Sequence, residues 1–149
     1  TLDDLSLTNR DNGKEAKPAD QLLLLHYLAC ESALSPGQEL ISFRTFCGGE
    51  FYYQPFCSRT REPLLKRFGN DVDGLRASLD HFDWEPVATG DLGARIHALG
   101  VLSVTLVYRQ GDEEFPASAD VLFDAVTPRA FGAEDAAVMA SRVCIGLLN

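Results

Sequence analysis

Five basic side chains, Arg44, Arg59, Arg61, Lys66 and Arg67, crowd one stretch of a chain that is otherwise acidic. Residues 48–69 of that stretch read GGEFYYQPFCSRTREPLLKRFG and set Tyr52 and Tyr53 among the arginines. Guanidinium forks match phosphate and carboxylate, and a helix N-terminus offers unpaired N–H groups to the same anions. If SRTREPLLKRFG is one helix, Arg59 and Arg61 stand at its N-terminal end, and a tyrosine ring supplies a flat apolar wall. The plainer reading is that these cations balance an acidic surface, with Lys66 and Arg67 facing the negative end of the helix dipole.

Carboxylates form the second set. Asp120 and Asp124 stand four apart in SADVLFD and share a face if that segment is a strand. Two carboxylates on one face can do acid–base work or hold a metal, although a solvent-facing pair is the commoner case. Asp112, Glu113 and Glu114 cluster at a turn, GDEEFPA, where a run of charge is usually a solvated tip. His26, His81 and His97 are isolated from one another; His26 lies in an apolar run and reads as a core histidine, and Asp91 is the acid nearest His97. No nucleophile elbow and no HExxH motif is present.

The four cysteines, Cys30, Cys47, Cys57 and Cys144, form no CxxC, and nine residues separate the closest two. That spacing fits neither zinc nor an iron–sulfur cluster and reads as free thiols in a reducing, cytoplasmic setting. A net charge of −9 excludes the clustered positive surface that nucleic acid or an anionic membrane requires. LLLLHYLAC falls well short of the ~20 apolar residues of a membrane span. The chain begins at Thr1 rather than Met, which reads as a trimmed piece of something longer.

These groups need elements to position them. Residues 1–17 are polar, with a short strand expected at LSLTN, and residues 18–149 have the length of one domain. Pro18 opens a helix, QLLLLHYLACE, apolar on nearly all sides and so expected at the centre of the core; SALSPGQ ends it. ELISFRTF and FYYQPF read as a hairpin of two strands turned by CGG. SRTREPLLKRFG and NDVDGLRASLDHF read as helices, with Pro63 in the first turn of the former and Gly69 as its stop. WEPVATGDLGARIHAL holds too many breakers to assign. VLSVTLVYRQ is a central strand, SADVLFDAVT its antiparallel partner, and FGAEDAAVMASRVCIGLLN a closing helix with Ala136, Ala140, Val143 and Leu147 on one stripe. The order predicts an α+β fold: an antiparallel or mixed sheet packed by about four helices.

Four segments, QLLLLHYL, GQELISFRTFCGGEFYYQPFCSRTREPLLKRFG, GDEEFPASADVLFD and AEDAAVMASRV, resemble the uncharacterised DUF3786 family in the family's own order. Arg44, Gly48, Gly49, Tyr53, Arg59, Thr60, Lys66, Glu114, Phe115, Pro116 and Asp124 occupy its motif positions. The resemblance implies a setting in anaerobic bacteria and archaea, where some members are fused to a cysteine-rich iron–sulfur domain of the kind found in corrinoid proteins. It therefore implies an iron–sulfur or corrinoid partner protein and, by analogy, a corrinoid or other tetrapyrrole as cofactor.

Three functions are consistent with these residues. The first is a non-catalytic accessory module that binds a small anionic ligand or cofactor through Arg44, Tyr53, Arg59, Thr60 and Lys66. The second is a small enzyme with Arg59 as clamp and Asp120 or Asp124 as base. The third is an assembly domain that uses exposed Phe51, Tyr52 and Phe56.

Overall fold

The computed structural model describes residues 15–30, 34–35 and 39–149. The strand expected at LSLTN lies outside the described residues, as do most of the polar N-terminal segment and most of SALSPGQ. Along the described residues run helix α1 (Pro18–Leu28), strand β1 (Leu40–Ser42), a 3-10 turn (Phe43–Thr45), α2 (Tyr53–Arg59), α3 (Arg61–Phe68) and α4 (Val72–Leu79). Strands β2 (Trp84–Pro86), β3 (Leu92–Leu99), β4 (Leu102–Arg109) and β5 (Ser118–Asp124) follow, then the single turn α5 (Thr127–Ala130) and α6 (Ala133–Leu148).

The five strands form one antiparallel sheet in the order β1-β5-β4-β3-β2. The fold is α+β. β4 sits in the middle because seven of its eight residues bury their side chains on one face or the other. Only a strand covered on both sides tolerates so continuous an apolar run. WEPVATGDLGARIHAL resolves into β2 and β3, paired from Trp84↔Ile96 to Pro86↔Ala94. Pro86 is tolerated because β2 is an edge.

The aromatic side of the sheet carries the core. Phe123 of β5 packs against Phe43, Phe46 and Phe56, with ring centroids 6.4, 5.2 and 5.9 Å away. Phe43 and Phe56 stack nearly parallel at 4.1 Å. The expected stripe of α6, Ala136, Ala140, Val143 and Leu147, is buried on the same side. Its alanines allow the helix to approach closely.

Several expectations need correction. ELISFRTF is extended for only three residues before the 3-10 turn, where Ser42 Oγ accepts the Arg44 N–H at 3.3 Å. The turn swings Phe43 and Phe46 into the core, which an uninterrupted strand would not do for residues three apart. FYYQPF leads into the helix α2 from Tyr53 onward rather than forming a second strand. Pro55 lies in its first turn, where the missing N–H is no loss. The expected helix SRTREPLLKRFG is broken at Thr60 (φ −119°, ψ −85°), so Arg59 ends α2 and Arg61 starts α3. Gly69 does stop α3, at φ +52°.

α1 is peripheral rather than central. Leu23 alone among its residues is buried, and Leu22, Leu25 and Leu28 are exposed. A helix apolar all round does not specify which face it buries, and the sheet's aromatic side is already filled by α2, α3 and α6. α1 is instead tied down at its surface. Asp20 pairs with Arg142 of α6 at 2.9 Å, and Tyr27 Oη accepts the Val101 N–H at 3.2 Å.

Candidate functional site

A cavity of about 710 Å³ opens between α1, the 3-10 turn, α2 and the start of α6. Leu22 and Leu23 form one wall, Phe43, Tyr52, Pro55 and Phe56 a second, and Ala133, Ala137 and Val138 a third. The volume falls within the roughly 300–1,000 Å³ typical of small-molecule sites, and so does the predominantly apolar lining. Its polar groups are few: Arg59, His26, Cys47, Glu134 and Asp135.

Each is placed by its element. Arg59 reaches the cavity from the last turn of α2 and makes no ion pair among the described residues. Gly132 precedes α6 with no side-chain cap. Among the described residues no side chain caps the first N–H groups of this 16-residue helix, and they stand beside the lining residues Gly132 and Ala133. A helix N-terminus carries partial positive charge, so Arg59 and α6 bring the same sign to one space. Glu134 partly offsets it. Asp135 is occupied elsewhere, 2.7 Å from His26 Nδ1. His26 is therefore no core histidine; it is an exposed residue paired across the mouth.

The other expected ligand residues do not line this cavity. Arg44 lies 4.0 Å over the Tyr53 ring, and Arg61 lies 5.7 Å from it. Arg44 also stands 3.7 Å from Glu50. Burial, and then the hydrogen bond with Cys57, push the Tyr53 hydroxyl up, against the two guanidiniums that pull it down. Thr60 is buried, and its Oγ1 donates to the Phe56 carbonyl at 2.7 Å. That bond leaves its hydroxyl serving the α2–α3 break. Lys66 is exposed near the end of α3.

The acidic pair also separates. Asp120 is half exposed and pairs with Arg109 at 3.2 Å. Asp124 is fully buried; its Oδ2 accepts from Arg95 at 3.2 Å and from the Ser103 N–H at 3.1 Å. Burial raises the Asp124 carboxyl above its usual range, and Arg95 and the Ser103 N–H pull it down only in part. Alternation along β5 puts Phe123 on the helix side and Asp120 and Asp124 on the other. The sheet thus stands between both carboxylates and Arg59, and neither carboxylate lines the cavity that Arg59 borders. His97 Nδ1 lies 3.3 Å from Ser103 Oγ, and Asp91 accepts from the Gln110 N–H instead.

Sequence reasoning missed His26, Cys47, Glu134 and Asp135 as neighbours of Arg59. The one available signal was the uncapped Phe131–Gly132 start of the closing helix. Among the described residues no group of three or more His, Cys, Asp or Glu could hold a metal ion, and no helix is long and apolar enough to cross a membrane.

Fold and site together define an α+β domain with an antiparallel sheet, helices packed on its aromatic face and a largely apolar cavity within that helical layer. The chain belongs to the DUF3786 family, described as a domain of unknown function, whose model matches residues 2–145. No curated protein and no solved structure matches the chain.

Proposed function

We propose that this chain is a non-catalytic accessory module that binds a small molecule with an apolar body and an anionic group. Arg59 and the α6 N-terminus, both bordering a largely apolar cavity of about 710 Å³, carry this reading. The apolar walls take the body of the ligand, and Arg59 pairs with its carboxylate or phosphate. His26 and Asp135 are engaged with each other, and the Asp120 and Asp124 carboxylates lie beyond the sheet.

The sharper form of the proposal is a corrinoid or other tetrapyrrole as ligand, delivered to or from an iron–sulfur or corrinoid partner protein in anaerobic metabolism in the cytoplasm. Its support is the family resemblance together with the anionic side chains such cofactors carry. Anaerobic purification followed at once by a UV–visible spectrum and native mass tests it. A visible chromophore or mass above the bare 16.3 kDa is the expected result. A colourless protein at that mass overturns the tetrapyrrole form and leaves a weakly held anion, which titration of anilinonaphthalene sulfonate into wild type and Arg59→Ala then tests.

A further inference from the structure

Two exposed features of opposite charge stand at the two ends of α3, whose eight residues span about 12 Å. At its start is a basic, aromatic surface. Arg44 and Arg61 flank the Tyr53 ring, and Phe51, 82% exposed, meets Tyr52 edge-on at 5.0 Å. Around that start stand Arg44, Arg59 and Arg61 against Glu50 and Glu62, in a chain whose net charge is −9, whereas Lys66 and Arg67 belong to the last turn of α3.

Beyond the other end, Asn70 anchors an acidic turn. Its Oδ1 accepts the Gly111 N–H at 2.8 Å, and its carbonyl accepts from Gln110 Nε2 at 3.1 Å. Asp112 Oδ1 accepts the N–H groups of Glu114 and Phe115 at 2.8 and 2.7 Å, and the Asp112 N–H donates to the Phe115 carbonyl at 2.8 Å. The turn is spent on holding itself rigid. Glu113 and Glu114 are exposed, and Phe115 is 68% exposed. Arg61, Glu113 and Glu114 make no ion pair among the described residues.

We propose that the Asp112–Phe115 turn of one copy docks on the Arg44, Arg61 and Phe51 surface of a second copy. Charge complementarity selects this occupant: the exposed Glu113 and Glu114 carboxylates and an aromatic anchor meet arginines and an aromatic partner. Arginine and aromatic side chains are the types that dominate interface cores, and a turn already held in shape loses little freedom on docking. The contact joins different surfaces on the two copies, so each copy retains a free surface of each kind. It propagates into a ring or an open chain. This inference goes beyond the ligand reading, although Tyr52, which Phe51 meets, also walls the cavity.

Sedimentation of the full chain over a range of protein concentration and salt tests it, with Arg61→Ala and Glu114→Gln as variants. Both positions are exposed or near the surface, and circular dichroism reports whether each variant folds. Wild type is expected to associate at low salt and to dissociate at 1 M salt, where the screening length falls to about 3 Å. Each variant alone is expected to associate at least about tenfold more weakly. Their equimolar mixture is expected to stop at a one-to-one dimer, because each variant keeps the surface the other has lost. A monomer at every concentration overturns the proposal. So does association that neither variant weakens, or a mixture that behaves like its separate components. A heterologous acidic partner captured by wild-type monomer would assign the basic surface to a different protein and would equally overturn it.

Discussion

The Arg95 guanidinium lies 3.2 Å from the Asp124 carboxylate, joining β3 to β5 over the top of β4 on the sheet face opposite the aromatic core. Glu85 of β2 stands 3.8 Å from the same guanidinium, so the pair also reaches the sheet edge. Its position beneath the Ser103 N–H makes Asp124 a fastener of three strands rather than a solvent-facing base.

Asp124→Ala leaves a largely buried guanidinium without its main carboxylate and is expected to cost roughly 3 kcal/mol. Asp124→Asn keeps the shape and removes the titration. Burial raises this carboxyl, so between the unfolded value and the raised one the folded state holds the extra proton. Stability from this group is therefore present at low pH and lost as pH rises through the folded value. Wild type should gain stability relative to Asp124→Asn as pH falls through that window, measured by urea unfolding at several pH values. A difference that does not change with pH, or that changes in the opposite sense, would refute it.

Gly49 is buried, and a Cβ there would collide with the Phe43 and Phe46 carbonyls. Both are backbone atoms of the turn that delivers the core phenylalanines, so neither yields cheaply. Gly49→Ala is expected to cost about 2 kcal/mol, lowering the melting temperature by roughly 4–8 °C. Gly132→Ala, where nothing lies within 4 Å of the added Cβ, is the matched control.

Arg59→Ala should leave stability within about 0.5 kcal/mol, since the side chain is exposed and unpaired among the described residues. It should weaken anilinonaphthalene sulfonate binding about tenfold, the loss of one charge-assisted contact. Fluorescence titration reads this directly, and equal affinity for the two proteins would remove Arg59 from the site.

Burial pushes the Cys144 thiol up to about 12. At pH 8 it is expected to stay unlabelled by a thiol reagent in the native protein, whereas exposed Cys47 reacts within the same time. Mass spectrometry of labelled peptides separates the two, and denaturant should make all four thiols reactive.

Period and burial specify the elements whose side chains leave one solution. VLSVTLVYRQ is too continuously apolar for an edge, so it names the centre of the sheet. The spacing of Val72, Leu75 and Leu79 in α4 and the alanine stripe of α6 name their buried faces, and Gly69 names the stop of α3. Local signals sufficed there because period and burial agree. FYYQPF is different: its aromatics suit a strand or a helix equally, and contact with Phe43 and Phe123 selects the helix.

Long-range packing places α1, because LLLLHYL is apolar on every side and states no preference. It alone set Arg59 beside the α6 N-terminus, two groups distant in the chain that share a cavity. It also put Asp124 on the far side of the sheet from Arg59. Strand alternation says which residues of β5 share a face, but which face meets the helices depends on how the chain folds over the sheet.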